Sequence, residues 1–339
     1  MKGLLASCAA AALVSAGAWG ASAQDVAAPL NLASHLTQAA AAYDGYVRRT
    51  SAIAPRFADG ASVQHALSIG ADYQPEQLEE GMVAFSALLA LRDQDFVAGV
   101  RQAAADPAFA QRLIDDPDSV LQAPGATEAA ADVEGALRTH GRRLRQLAAA
   151  ITQQAYTVQL QAWSKAPVPD AAGVLARVKA EALTTRVADV AAQQSLLQSL
   201  DATPRTTGWN GAVTPQVTHG LALAALAVLG QAGDNNEAQI AALLRRQIDV
   251  NCVRLARMDL NQCLAAAGPH YDDVFCTGEH AVGETAKCVS AAAGDTGDAD
   301  TPPQTDVATP AAFTPAAYGP EEAAAYGLPA PATTPEGAW

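Results

Sequence analysis

Four cysteines, Cys252, Cys263, Cys276 and Cys288, carry the strongest chemical signal in the chain. Cys252 and Cys263 are eleven residues apart, about three helical turns, which puts both on one face of one helix. Gly268-Pro269 then breaks that helix, and Cys276 and Cys288 follow on the next segment. Three pairings are open to four cysteines. If the two segments run antiparallel, an outer pair Cys252–Cys288 and an inner pair Cys263–Cys276 both close. That predicts a disulfide-stapled C-terminal helical hairpin. A metal site using these thiols with His270 and His280 is the rival reading. The short Cys-x-x-Cys pairs usual in such sites are missing, and setting aside Cys8 in the expected leader leaves an even four of the five cysteines, which in an exported chain favours disulfides.

Other polar groups are sparse. His270, Tyr271, Asp272, Asp273 and His280 form the densest polar cluster, read as a solvated loop that the cysteines could hold open for a cation. His140 lies in the seam of a long amphipathic helix, where a polar residue fixes register. Arg138, Arg142, Arg143 and Arg145 form a basic patch in an acidic chain, either an exposed helix face paired with acids such as Asp132 and Glu134 or a docking patch for an acidic partner, including the chain's own tail. Arg245, Arg246, Arg254 and Arg257 make a second, similar stripe. Neither G-x-G-x-x-G nor G-x-x-x-x-G-K-[ST] occurs, so no phosphate-cradling loop is expected. G-x-S-x-G and H-E-x-x-H are also missing, as is the Glu-Ser pair common in helical glycan-cleaving enzymes. No catalytic residue, cofactor or metal is expected.

The elements that must position these groups read as helices. Ala accounts for 82 of the 339 residues and aromatics for only 5%. Ala is the best helix former, so the fold class expected is all-α: an elongated helical bundle. Residues 24–125 read as a set of short helices, with a strong start at Pro75-Glu76 and restarts at Asp106-Pro107 and Asp116-Pro117. Residues 126–200 read as a long coiled-coil-like hairpin. Leu137, Leu144, Ile151 and Val158 repeat every seven residues on its first arm. Val174, Val178, Val187, Val190, Leu197 and Leu200 supply the second, over about 170–200. Residues 201–293 hold a buried helix at 214–230, a helix from about Glu237 through Cys263, and the two disulfides. Together 24–293 make one all-helical domain.

The two ends differ in kind. Residues 1–23 carry Lys2, an apolar stretch from Leu4 to Trp19 and the small-x-small sequence Ala21-Ser22-Ala23, the pattern of a cleaved secretory signal peptide. Residues 294–339 hold eight Pro, seven acids and no Lys or Arg. Such a composition cannot offset its ordering entropy, so a disordered acidic tail is expected. A formal charge of −14 disfavours nucleic acid and anionic membrane surfaces. No later stretch is long enough to span a membrane.

These features predict a periplasmic or secreted chain of a bacterial cell envelope, non-enzymatic, which self-associates or binds an envelope protein. A small-ligand-binding helical module, with Trp163 and Trp209 as wall residues, is the alternative. A cell-wall hydrolase of unrecognised type is a more distant one, and it would need a carboxylate pair in a cleft with a perturbed pKa.

Overall fold

Short polar side chains write the helix starts of this chain. The computed structural model describes residues 32–206, 213–246 and 251–295. Helix α1 spans Ser34–Ser51 and α2 spans Gly60–Gly70. Asp59 caps α2 reciprocally, its carboxylate accepting from Ser62 N at 2.8 Å while Ser62 Oγ accepts from Asp59 N at 3.3 Å. Helix α3, Pro75–Ala90, begins on its proline, whose missing N–H costs nothing in the first turn. Asp93 caps α4, Gln94–Ala103, by accepting from the amides of Asp95 and Phe96. After α5, Phe109–Asp115, a 3-10 turn covers Pro117–Gln122. The 33-residue α6, Ala126–Val158, follows. Then come α7, Ala171–Glu181; α8, Val190–Ala202; α9, Pro215–Val228; α10, Glu237–Arg246; and α11, Asn251–Ala266. The chain closes with α12, His270–Cys276, a π-helical segment, Thr277–Glu284, and α13, Thr285–Ala292. The class is all-α: among the described residues there is no strand, only isolated bridges at Leu32–Ala232 and Pro167–Pro269.

The core is built around α9. Every residue from Gln216 to Ala227 is buried, as expected of a helix apolar on all faces. Leu221, Leu223 and Leu226 are fully enclosed, each worth about 2 kcal/mol of burial. Helix α3 lies between α1 and α9. Its approach to α1 needs Gly81: a Cβ there would strike the carbonyl of Ala39 and come within 2.8 Å of Tyr43 Cβ. One apolar cluster runs from Ala33 to Ala293 through all these helices.

The long helix forms, but its partner is not the one the heptads suggest. Leu137, Leu144, Ile151 and Val158 are all buried, and α6 packs against α12, α13, the π-helical segment, α3 and α9. The second arm expected over 170–200 is divided. Residues 184–189 leave the helix between α7 and α8. Thr184, Thr185 and Val187 are β-branched and weak helix formers, and Asp189 restarts the helix by accepting from Ala192 N at 2.7 Å. Helix α7 then packs on α11 and α8 on α1. The expected helix from Glu237 to Cys263 appears as α10 and α11, with 247–250 outside the described residues. The stretch 1–23 expected to be a signal peptide, residues 296–339 of the tail expected over 294–339, and Trp209 also lie outside them.

Candidate interaction surfaces

The disulfides close as the spacing predicts. Cys252 of α11 joins Cys288 of α13, and Cys263 of α11 joins Cys276 of α12, each pair with a Cα–Cα distance of 5.7 Å. They hold the C-terminal helices as one block against α6.

That block does not present the polar loop expected at 270–280. The segment is helical: His270 and Asp273 are buried, while Tyr271 and Asp272 stay half-buried, Asp272 accepting from Gly268 N at 3.0 Å. Asp273 is buried and accepts from Gln64 Nε2 of α2 at 2.6 Å. Burial pushes its carboxyl pKa up. His270 is buried against Gly60 of α2, its ring 6.1 Å from that of Trp163. His280 points elsewhere, 3.0 Å from Glu284 on the next turn, and this hydrogen bond raises its pKa. The cluster is thus split in two by the helix period. Among the described residues no three His, Cys, Asp or Glu side chains are grouped as a metal would need.

The second basic stripe is also divided. Arg254 stays on the surface and meets Glu76 at 3.0 Å. Arg257 is only 3% exposed. Its guanidinium lies 3.9 Å from the centre of the Tyr73 ring and donates to the carbonyls of Ala71 and Tyr73, both at 2.8 Å, and to that of Val178. A signal for this was present in the sequence. Arg257 sits in the row Val253, Leu260 and Leu264, all buried on α11, so its position is a core one. The Arg245 and Arg246 side chains lie outside the described residues.

His140 is a seam residue, as its position suggests, but of an aromatic pocket. Its Nδ1 is 3.1 Å from the Tyr43 hydroxyl, and its ring is 5.3 Å from that of Phe85. Burial pushes its pKa down to about 4, Arg143 adds to the shift, and the buried Asp44 opposes it. Tyr43 is driven upward, first by burial and then by Asp44.

The first basic patch lies on the outer face of α6. Arg138 pairs with Glu134 one turn back, and Arg145 pairs with Asp295 at 2.6 Å. Arg142 and Arg143 face solvent, and among the described residues neither has a carboxylate partner.

A surface that periodicity did not single out lies around α8. Leu183, Val187, Val190 and Leu197 are 85%, 79%, 70% and 58% exposed. Of these four, Leu197 lines a groove of about 300 Å³ together with Leu32, Thr37, Leu88, Leu91, Arg92, Leu200 and Asp201. The helical reading assigned Val187, Val190 and Leu197 to one buried arm. The break at 184–189 rotates them out. Trp163 lies apart, beside His270.

One carboxylate has a strongly raised pKa. Burial lifts Glu79 to about 7, and Glu76 adds to it. Glu79 accepts from Val253 N at 3.3 Å, at the first turn of α11, while Glu76 is held by Arg254. This is the placement of a helix-capping acid, and neither residue lines the groove. Among the described residues no helix is long and apolar enough to cross a membrane.

Comparison with protein-family models, with curated proteins and with solved structures finds no match to this chain.

Proposed function

We propose that the protein is an exported, non-catalytic interaction protein of a bacterial cell envelope, and that it holds a basic amphipathic helix of a partner protein on the α8 surface. The exposure of Val190 and Leu197 seven residues apart on α8, with Leu197 lining an apolar groove, carries the reading. Large apolar side chains clustered on a surface mark interaction sites, and a groove of this kind takes a helix through side chains at i, i+3, i+4 and i+7. Charge supports a basic occupant. Helix α8 is preceded by Asp189 and has no Lys or Arg, Arg92 in the groove lining is offset by Asp201 at 3.9 Å, and the whole chain is strongly acidic, which opposes a second copy at this face. Two disulfides and the leader-like N-terminus support an oxidising compartment.

The test is native mass spectrometry of the full chain from its own envelope fraction, beside the variants Val190→Glu and Leu197→Glu. The expected result is a stoichiometric complex with a protein bearing such a helix. Each variant should weaken it at least about tenfold, roughly 1.4 kcal/mol, and leave the urea midpoint unchanged, because both side chains are solvent-facing. A bare monomer, or a complex indifferent to both variants, overturns the reading. A monomer carrying a small apolar adduct supports instead a ligand in the groove, whose volume of about 300 Å³ lies at the small end of ligand sites.

A further inference from the structure

Residues 171–202 carry two apolar faces at helical spacing. At about 100° per residue, the buried Val174, Val178, Leu196 and Leu200 fall within an arc of about 80°. On the opposite side Ala176, Leu183, Val190 and Leu197 recur every seven residues, with Ala180 and Val187 between them. Those are the alternating three- and four-residue steps of a coiled-coil seam, and all six residues are exposed. The pattern runs straight through 184–189, where the chain leaves the helix. A latch holds that break. Arg186 Nε donates to Asp72 Oδ1 at 2.8 Å, and its Nη2 meets Asp72 and Glu181. Arg186 N donates to Gln77 Oε1 at 2.8 Å, and Gln77 Nε2 donates to Arg186 O at 2.7 Å. Among the described residues, the amides of Val187, Ala188 and Asp189 have no backbone acceptor. A continuous helix gives them the carbonyls of Leu183, Thr184 and Thr185.

We infer that 171–202 is a two-state segment: Arg186 holds it broken in the free chain, and the partner helix draws it into one continuous helix whose seam that partner covers. The occupant rests on the interaction proposed above, and the seam deepens it. Rows of this spacing fit another helix, here one of about three heptads to match 176–197. Arg177 and Lys179 flank the α7 end of the seam and favour acids on the partner there, while the α8 half has no Lys or Arg and receives the partner's basic residues. Closure leaves the buried contacts on their own side, because Val174, Val178, Leu196 and Leu200 already share one face. Thr184, Thr185 and Val187 keep the join a weak helix, so an ion pair can hold it open. Once the latch is released, a larger fraction of the chain is competent to bind, and apparent affinity rises by that fraction.

The test is residue-resolved amide hydrogen exchange on the free full-length chain, corrected for intrinsic rates, beside two kinds of variant. Arg186→Gln removes the latch. Thr184→Ala with Thr185→Ala raises helix propensity and leaves the latch in place. In both, exchange at Val187, Ala188 and Asp189 should slow at least about tenfold as these amides enter a helix. Arg186→Lys keeps the charge beside Asp72 and Glu181 and should stay closer to the native rates. Unchanged or faster exchange in the alanine pair overturns the two-state segment. Unchanged or faster exchange in Arg186→Gln, or a lysine variant that matches it, overturns the latch. Binding separates this inference from the function it rests on. In the envelope complex, Leu183→Glu should weaken binding at least about tenfold, as Val190→Glu does, although Leu183 lies outside α8 and is 85% exposed. A complex sensitive to Val190→Glu and indifferent to Leu183→Glu leaves the α8 interaction standing and overturns the seam.

Discussion

Acid should weaken this fold through His140. The imidazole sits between Tyr43 and Phe85, and burial lowers its pKa from 6.5 to about 4. That gap corresponds to about 3 kcal/mol. The sign follows from linkage. The folded pKa lies below the unfolded value, so the unfolded chain binds the extra proton between pH 6.5 and 4. The contribution is whole above pH 6.5 and is lost as pH falls toward 4, at about 1.4 kcal/mol per pH unit. Asp44 and Arg143 act on this imidazole in opposite senses, and both remain in the variant His140→Gln. Glu79 acts the other way. Its folded pKa is raised from 4.5 to about 7, so the fold gains stability as pH drops across that range. Subtracting the curve for His140→Gln from the wild-type curve cancels the Glu79 contribution. Urea unfolding from pH 7.5 to 4, with the disulfides intact, should then show a difference that shrinks by about 3 kcal/mol. Parallel curves, or an NMR titration of the His140 ring near pH 6.5, would refute the burial argument.

The two disulfides should differ in worth. The Cys252–Cys288 bond closes a separation of 36 residues and Cys263–Cys276 one of 13, so loop entropy assigns them about 4 and about 3 kcal/mol respectively. Replacing each pair with serines should lower the urea midpoint in that order, and the reverse order would count against an entropic origin. Arg257→Leu leaves the Tyr73 carbonyl without its guanidinium donor, at about 1–3 kcal/mol for a buried group, while the Ala71 carbonyl keeps the Tyr73 amide at 2.9 Å. Arg257→Lys should recover only part of this, because an ammonium lacks the planar fork. A midpoint unchanged in both variants would show that the guanidinium is dispensable to the core.

Much of the fold was legible because its signals are local. Asp59, Pro75 and Asp93 act on amides or dihedrals within a few residues, and each marks a helix start in the structure. The disulfide pairing was equally legible, since one helix, one break and two spacings constrain four cysteines. The candidate site was not. The α8 surface depends on a break at 184–189 whose flanking apolar spacing still looks helical. Only the packing of α7 on α11 and α8 on α1 decides that Val178 and Leu200 go inside while Val187, Val190 and Leu197 stay out.

By itself, then, the sequence determined the helices, most of their ends, the cysteine pairs and the acidic balance. Tertiary structure alone decided what each face meets. The heptad row of α6 required burial but did not name a partner, because apolar burial is non-directional. It went to α12, α13 and the π-helical segment. Arg254 and Arg257 carry the same charge three residues apart, yet one meets Glu76 in solvent and the other lies over Tyr73 in the core. The field around a charged group is made by neighbours far away in the chain, and only the folded arrangement brings them together.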